Sequence, residues 1–99
     1  MTWLEAYKEM KDNKSFVKRK SWDENIFIWL KPEFEIQASF CKDENLKKIV
    51  QSIGKLNSKG IQTIKGEATL SICTGNSIRS GFVPSVDDVN ATDWEIVNL

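Results

Sequence analysis

The chain has 99 residues, with fourteen Lys and Arg balancing fourteen Asp and Glu, so the formal net charge is zero. Zero net charge argues against a nucleic-acid coat or a polybasic membrane binder, both of which depend on summed positive charge. Histidine is absent, which removes imidazole acid–base catalysis, Ser-His and Cys-His nucleophiles and histidine metal sites. Cys41 and Cys73 are too few for a disulfide scaffold, so a reducing cytoplasm is the expected compartment. No apolar run approaches the ~20 residues of a membrane span, and no signal-peptide pattern stands at the N-terminus. Hydrophobic residues make up 40% of the chain, enough for one soluble domain spanning residues 1–99. Four tryptophans in so short a chain are the surplus to explain. With five phenylalanines, they exceed what one small core hides, so some are expected to face a partner.

The first predicted element is a helix over Leu4–Asp12. Thr2 is its N-cap and Glu5 completes a capping box. Trp3, Leu4, Tyr7 and Met10 share one stripe, and Asn13 is expected to end the helix in the left-handed conformation. Phe16–Arg19 is a short strand. Ser21–Asn25 is a turn, and the apolar run Ile26–Leu30 is a second strand closed by Lys31-Pro32. Phe34, Ile36, Ala38 and Phe40 alternate with polar residues, which predicts a third strand along the whole stretch. Asp43 caps a second helix, in which Leu46, Ile49, Val50, Ile53 and Leu56 recur at helical spacing over 43–56. Gly54 weakens its end.

Asn57–Gly60 is a turn. Glu67–Thr74 alternates as a strand, Gly75-Asn76 is a hairpin dipeptide, and Ile78–Val83 is the return strand with Gly81 as a kink. Pro84 stops pairing. Ser85 with Asp88 opens a short helix over Val86–Asn90, and Trp94–Val97 is the last strand. The expected fold is α+β: an antiparallel sheet with an N-terminal helix, a middle helix and a short C-terminal helix.

Chemically, Trp22 attracts attention because it follows Lys18-Arg19-Lys20 and precedes a polar turn. An aromatic ring beside cations can stack on a base while a cation meets a phosphate. The competing reading is a tryptophan that plugs one end of the sheet. The N–H groups opened by Ser85 could receive phosphate oxygens, or Ser85 is an ordinary cap. Asp87 and Asp88 suit ribose hydroxyls or an exocyclic amine better than an anion. Trp94 reads as core, and the cysteines as small buried hydrophobes. No P-loop, Rossmann glycines, nucleophile elbow, metal cage or catalytic dyad is legible, and no cofactor is expected.

Two stretches together carry a resemblance. One runs from Glu5-Ala6-Tyr7-Lys8-Glu9-Met10-Lys11 through Val17-Lys18-Arg19 and Ser21-Trp22 to Ile26–Leu30. The other is Pro84-Ser85-Val86-Asp87-Asp88-Val89-Asn90-Ala91-Thr92-Asp93-Trp94-Glu95-Ile96-Val97. The chain resembles the phage and prophage family named for the second type of Thoeris anti-defence protein. Its pattern has a basic residue three before a Trp, and a C-terminal P-S-x-x-D-x-x-A-x-D-W-E.

The resemblance implies a non-enzymatic sponge for the cyclic ADP-ribose-type messenger made by a bacterial TIR-domain protein, acting in the cytoplasm of the infected host. Some relatives take cyclic dinucleotides. It further implies a homo-oligomer, a dimer of dimers, with ligand pockets at subunit interfaces and no nucleic-acid polymer or membrane as partner. The ligand-binding positions it implies are Tyr7, Arg19, Trp22, Asn25, Phe27, Pro84, Ser85 and Asp88. The chain departs from the family where Trp22-Asp23-Glu24-Asn25 replaces the common Trp-Asn-Gly, which bears on ligand identity more than fold. The 43–56 segment reads as divergent material between the two blocks. A protein-interaction module that inhibits a host protein is the alternative reading.

Overall fold

The computed structural model describes residues 1–99 as three helices and two antiparallel sheets. The chain divides into two compact units. One comprises Met1–Pro32 with Thr69–Leu99, and the other Glu33–Ala68.

The first unit begins with helix α1, Trp3–Asp12. The Thr2 hydroxyl accepts from the Glu5 N–H, and the Glu5 carboxylate accepts from the Thr2 N–H, so the expected capping box is present. These bonds also hold the Glu5 pKa below its ordinary value. At the other end the left-handed residue is Lys14, at φ 54°, rather than Asn13. Asn13 instead caps with its N–H on the Glu9 carbonyl, and the chain reverses one residue later.

Strands β1 (Phe16–Arg19), β2 (Ile26–Lys31), β6 (Thr69–Thr74), β7 (Ile78–Ser80) and β8 (Trp94–Val97) form a five-stranded sheet in the order β7-β6-β2-β1-β8. Val17 pairs with Ile28, Ile28 with Ile72, and Val17 with Ile96, so one row of apolar side chains crosses four of the five strands and ends at Arg79 on β7. Val17, Ile28 and Ile72 in that row, with Ala6 and Met10 of α1 and with Trp94, form the core. Burying each large member contributes roughly 1.5–3 kcal/mol.

The hairpin of β6 and β7 turns at Gly75-Asn76. Gly75 sits at φ 87° and Thr74 N–H donates to the Ser77 carbonyl. The return strand stops at Ser80 rather than Val83. Gly81, at φ 88°, and Phe82 both donate to the Leu70 carbonyl, a bulge that ends the ladder before Pro84 is reached. Helix α3, Val86–Asn90, follows.

The second unit leaves the sheet after Lys31 and returns at Thr69, which are register partners. Its three-stranded sheet has the order β3-β5-β4, with β3 at Phe34–Gln37, β4 at Lys55–Leu56 and β5 at Gln62–Gly66. The strand expected to run through Phe40 ends at Gln37. Ala38–Phe40 is one turn of 3₁₀ helix, and Cys41 N–H donates to the Ala38 carbonyl. Helix α2 is Glu44–Ile53, capped by Asp43 as expected. It stops at Gly54 rather than reaching Leu56. A Cβ at Gly54 would lie 2.4 Å from the Val50 carbonyl oxygen, and the next two residues pair with β5. Strand β5 was not expected. Its interior includes a buried threonine, Thr63, in place of the apolar alternation that marks a strand. Val50 is the unit's one buried large hydrophobic residue, while Phe40, Ile53 and Leu56 stay largely exposed.

Candidate functional site

The sheet of the first unit has two aromatic faces. Ile26, Ile28 and Leu30 point to the core side, so Phe27 and Trp29, which alternate with them, point away from it. There Phe27 meets Phe16 edge-on at 5.3 Å, and Trp29 meets Phe16 at 5.6 Å. On the core side five rings form a continuous string. Tyr7 touches Trp3 at 6.1 Å, Trp3 touches Trp94 at 5.0 Å, Trp94 touches Trp22 at 5.3 Å, and Trp22 touches Phe82 at 5.9 Å. Trp94 is 2% exposed, the core residue its position suggested. The tryptophan surplus therefore divides as three in the string and one, Trp29, on the opposite face.

Trp22 is half-buried and bracketed by two tight turns. Its N–H donates to the Arg19 carbonyl at 3.0 Å, and Ile26 N–H donates to the Asp23 carbonyl at 3.0 Å. Lys18 Nζ donates to the Trp22 carbonyl at 3.0 Å and lies 3.6 Å from the Glu95 carboxylate. Trp22 packs against the core cluster and is half-buried.

Arg19 lies beside it. Its Nε donates to Asp93 Oδ1 at 3.0 Å and its Nη1 to Asp88 Oδ1 at 3.1 Å. These two carboxylates hold the Arg19 pKa above its ordinary value, first through the Asp93 hydrogen bond and then through that of Asp88. Asp88 closes a capping box with Ser85: its Oδ2 accepts from Ser85 N–H at 3.0 Å, and Ser85 Oγ accepts from Asp88 N–H at 3.1 Å. Partial burial pushes the Asp88 pKa up, but the Ser85 N–H, the Arg19 guanidinium and the Ser85 hydroxyl together hold it below the ordinary value. The Asp88 carbonyl in turn accepts from Trp94 Nε1 at 2.8 Å.

Of the eight expected ligand positions, the structure brings Arg19, Trp22, Ser85 and Asp88 into one corner, with Pro84 immediately before Ser85. Tyr7 is at the far end of the ring string. Asn25 is exposed in the second turn, where its carbonyl accepts from Gly75 N–H. Phe27 is on the opposite face of the sheet. Two members of the corner were not expected there, Asp93 and Trp94. Their adjacency in the Asp-Trp-Glu run was the available signal, since one residue turns toward Arg19 and the next into the core. No three Asp, Glu or Cys side chains stand close enough to hold a metal ion. No helix is long and apolar enough to cross a membrane.

Taken together, the molecule is a small α+β protein of antiparallel strands, with an aromatic string and an internal charge cluster at one corner of its larger sheet. The chain belongs to the Tad2-like family: the Thoeris anti-defense 2-like domain matches residues 1–97. That membership gives it a role against Thoeris defence, and the match takes in both units. No curated protein matches the chain.

Proposed function

We propose that this protein is a sponge, which binds a cyclic nucleotide messenger of the cyclic ADP-ribose type in the cytoplasm of an infected bacterium and returns it chemically unchanged. The family match over residues 1–97 carries the reading. Trp22 supports it, because a half-buried ring held between two turns can offer a surface to a purine at little cost in conformational entropy. The chain also lacks histidine, so an imidazole acid or base for cleaving the messenger would have to come from elsewhere. The same proposal includes a homo-oligomer, a dimer of dimers in which a second copy completes the pocket. Phe40, Ile53 and Leu56, at 79%, 65% and 72% exposed, are apolar surface of the kind such contacts cover.

The test is capture and recovery. Protein is incubated with the cyclic ADP-ribose-type messenger, separated from free ligand, heat-denatured, and the supernatant analysed by mass spectrometry. Intact messenger in proportion to protein supports a sponge. Conversion of many equivalents per chain makes the protein an enzyme, and no depletion of messenger favours a module that blocks a host protein. Parallel incubation with cyclic dinucleotides separates the two ligand classes.

A further inference from the structure

Trp22 is one member of a closed circuit of four residues. Its N–H donates to the Arg19 carbonyl. The Arg19 guanidinium donates to the Asp88 carboxylate across 69 positions of sequence. The Asp88 carbonyl accepts the indole N–H of Trp94. The Trp94 ring, 78° from the plane of the Trp22 ring, closes the loop. Asp93 braces it from outside: its carboxylate takes Arg19 Nε and its carbonyl takes Lys20 N–H at 3.1 Å. The circuit joins β1, α3, β8 and the turn that carries Trp22, so the orientation of the ring depends on elements far apart in the chain.

The charges of the circuit are already used. Arg19 brings one positive charge and Asp88 and Asp93 bring two negative ones, so the cluster as a whole is anionic. A phosphate approaching the guanidinium would have to displace a carboxylate or stand beside both, and either arrangement is electrostatically unfavourable. Lys18 is similarly engaged, with the Trp22 carbonyl and Glu95. The Asp88 carboxylate already accepts one bond on each oxygen, from Arg19 and from Ser85 N–H, so a ribose hydroxyl would be a second donor to an oxygen that is already engaged.

We propose that Arg19 is a positioning residue for capture, holding the Trp22 ring in place through Asp88 and Trp94, and that it does not itself take a phosphate of the messenger. The functional half of this assignment rests on the sponge reading; the structural half does not. It gives a physical reason for a basic residue three positions before the tryptophan: a strand residue at that spacing closes the turn with its carbonyl and anchors it with its side chain.

The experiment uses the full chain and the variants Arg19→Met, Arg19→Lys and Asp93→Asn. Because Trp3 also lies 5.0 Å from Trp94, parent and variants all carry Trp3→Phe in this arm, and without ligand the remaining Trp22–Trp94 pair should give an exciton couplet in the far-ultraviolet circular dichroism spectrum. Arg19→Met should reduce the couplet and Arg19→Lys should restore part of it. Asp93→Asn, which leaves the four-membered circuit closed, should reduce it less; if Arg19→Met does not fold, Arg19→Gln takes its place, and an unchanged couplet there overturns the positioning role. An unchanged couplet in folded Arg19→Met overturns the positioning role. The second arm titrates the cyclic ADP-ribose-type messenger. Arg19→Met should bind about tenfold or more weakly, and Arg19→Lys, which keeps the positive charge, should recover capture only as far as it recovers the couplet. Weak binding by Arg19→Met with an intact couplet, or full capture by Arg19→Lys with a reduced couplet, would make Arg19 a phosphate ligand and overturn the proposal. If the parent binds neither this probe nor a cyclic dinucleotide, the sponge reading and the capture role fail together, while the couplet still decides the structural half.

Discussion

Replacing Asp88 with alanine should destabilise the protein by more than any ordinary surface substitution. The carboxylate satisfies the Ser85 N–H at the start of α3 and accepts from Arg19. Losing a capping contact costs about 0.5–2 kcal/mol. A hydrogen bond to a charged partner is worth about 1.5–3 kcal/mol in a protected site. The pair is not fully protected, with side-chain exposures of 22% and 15%, and Arg19 keeps Asp93. A total loss of about 2–3 kcal/mol is therefore expected. For a chain of this size that lowers Tm by roughly 10–20 °C. Thermal unfolding followed by far-ultraviolet circular dichroism at neutral pH measures it. Asp88→Asn should lose less, because its amide oxygen can still accept from Ser85.

The pH dependence has a definite sign. The Asp88 pKa is depressed below its ordinary 3.8 by the bonds it makes when folded. Its contribution is thus fully present above that ordinary value and is lost as pH falls through the lower folded value. Parent and Asp88→Ala should differ most near pH 7 and converge as pH falls through the depressed folded value. A Tm within about 2 °C of the parent at neutral pH would refute the reasoning, and would mean that solvent replaces both bonds at no cost.

Trp22→Ala should weaken messenger capture by about 10–100-fold, the value of a stacked base, and also cost roughly 1–3 kcal/mol of stability, because its ring packs on Phe82 and Trp94. Calorimetric titration and thermal unfolding separate the two effects, and unchanged capture would remove Trp22 from the site. Met10→Ala should cost about 2–5 kcal/mol, since Met10 is 1% exposed in the core; denaturant unfolding that shows less than about 1 kcal/mol would mean the core collapses around the gap. Gly66→Ala would place a Cβ 2.6 Å from the exposed Phe34 ring. The ring should swing aside at a cost of about 1 kcal/mol, read as faster amide exchange in Gln62–Gly66, and slower exchange there would contradict the close packing.

What was legible in the sequence was what is encoded locally. Thr2 with Glu5, Asp43, and Ser85 with Asp88 mark helix starts within three or four residues, and all three helices begin where those residues place them. Gly75-Asn76 turns the hairpin because a two-residue turn needs a residue at positive φ. The division of the strands into two sheets was not legible. It depends on Lys31 and Thr69 being neighbours, a pairing across 37 intervening residues. Strand β5 was missed because Thr63, its buried residue, is polar. In the corner around Trp22, sequence spacing singled out the tryptophan and its basic neighbour. It could not show that Arg19 meets carboxylates 69 and 74 positions away, and so could not distinguish a cation open to a ligand from one already neutralised.

The placement of the tryptophans has a practical consequence for anyone watching this molecule by its own light. Trp3, Trp22, Trp29 and Trp94, and the lone Tyr7, all belong to the unit built from residues 1–32 and 69–99. Residues 33–68 contain only Phe34 and Phe40 as aromatic chromophores. Intrinsic fluorescence excited at the indole band therefore originates in one unit alone. A partner that binds to Phe40, Ile53 or Leu56, or a melting of α2, could pass with no change in emission. Titrations that appear silent by fluorescence would need a label placed within 33–68, at Cys41 for instance, before they could count as evidence that nothing binds.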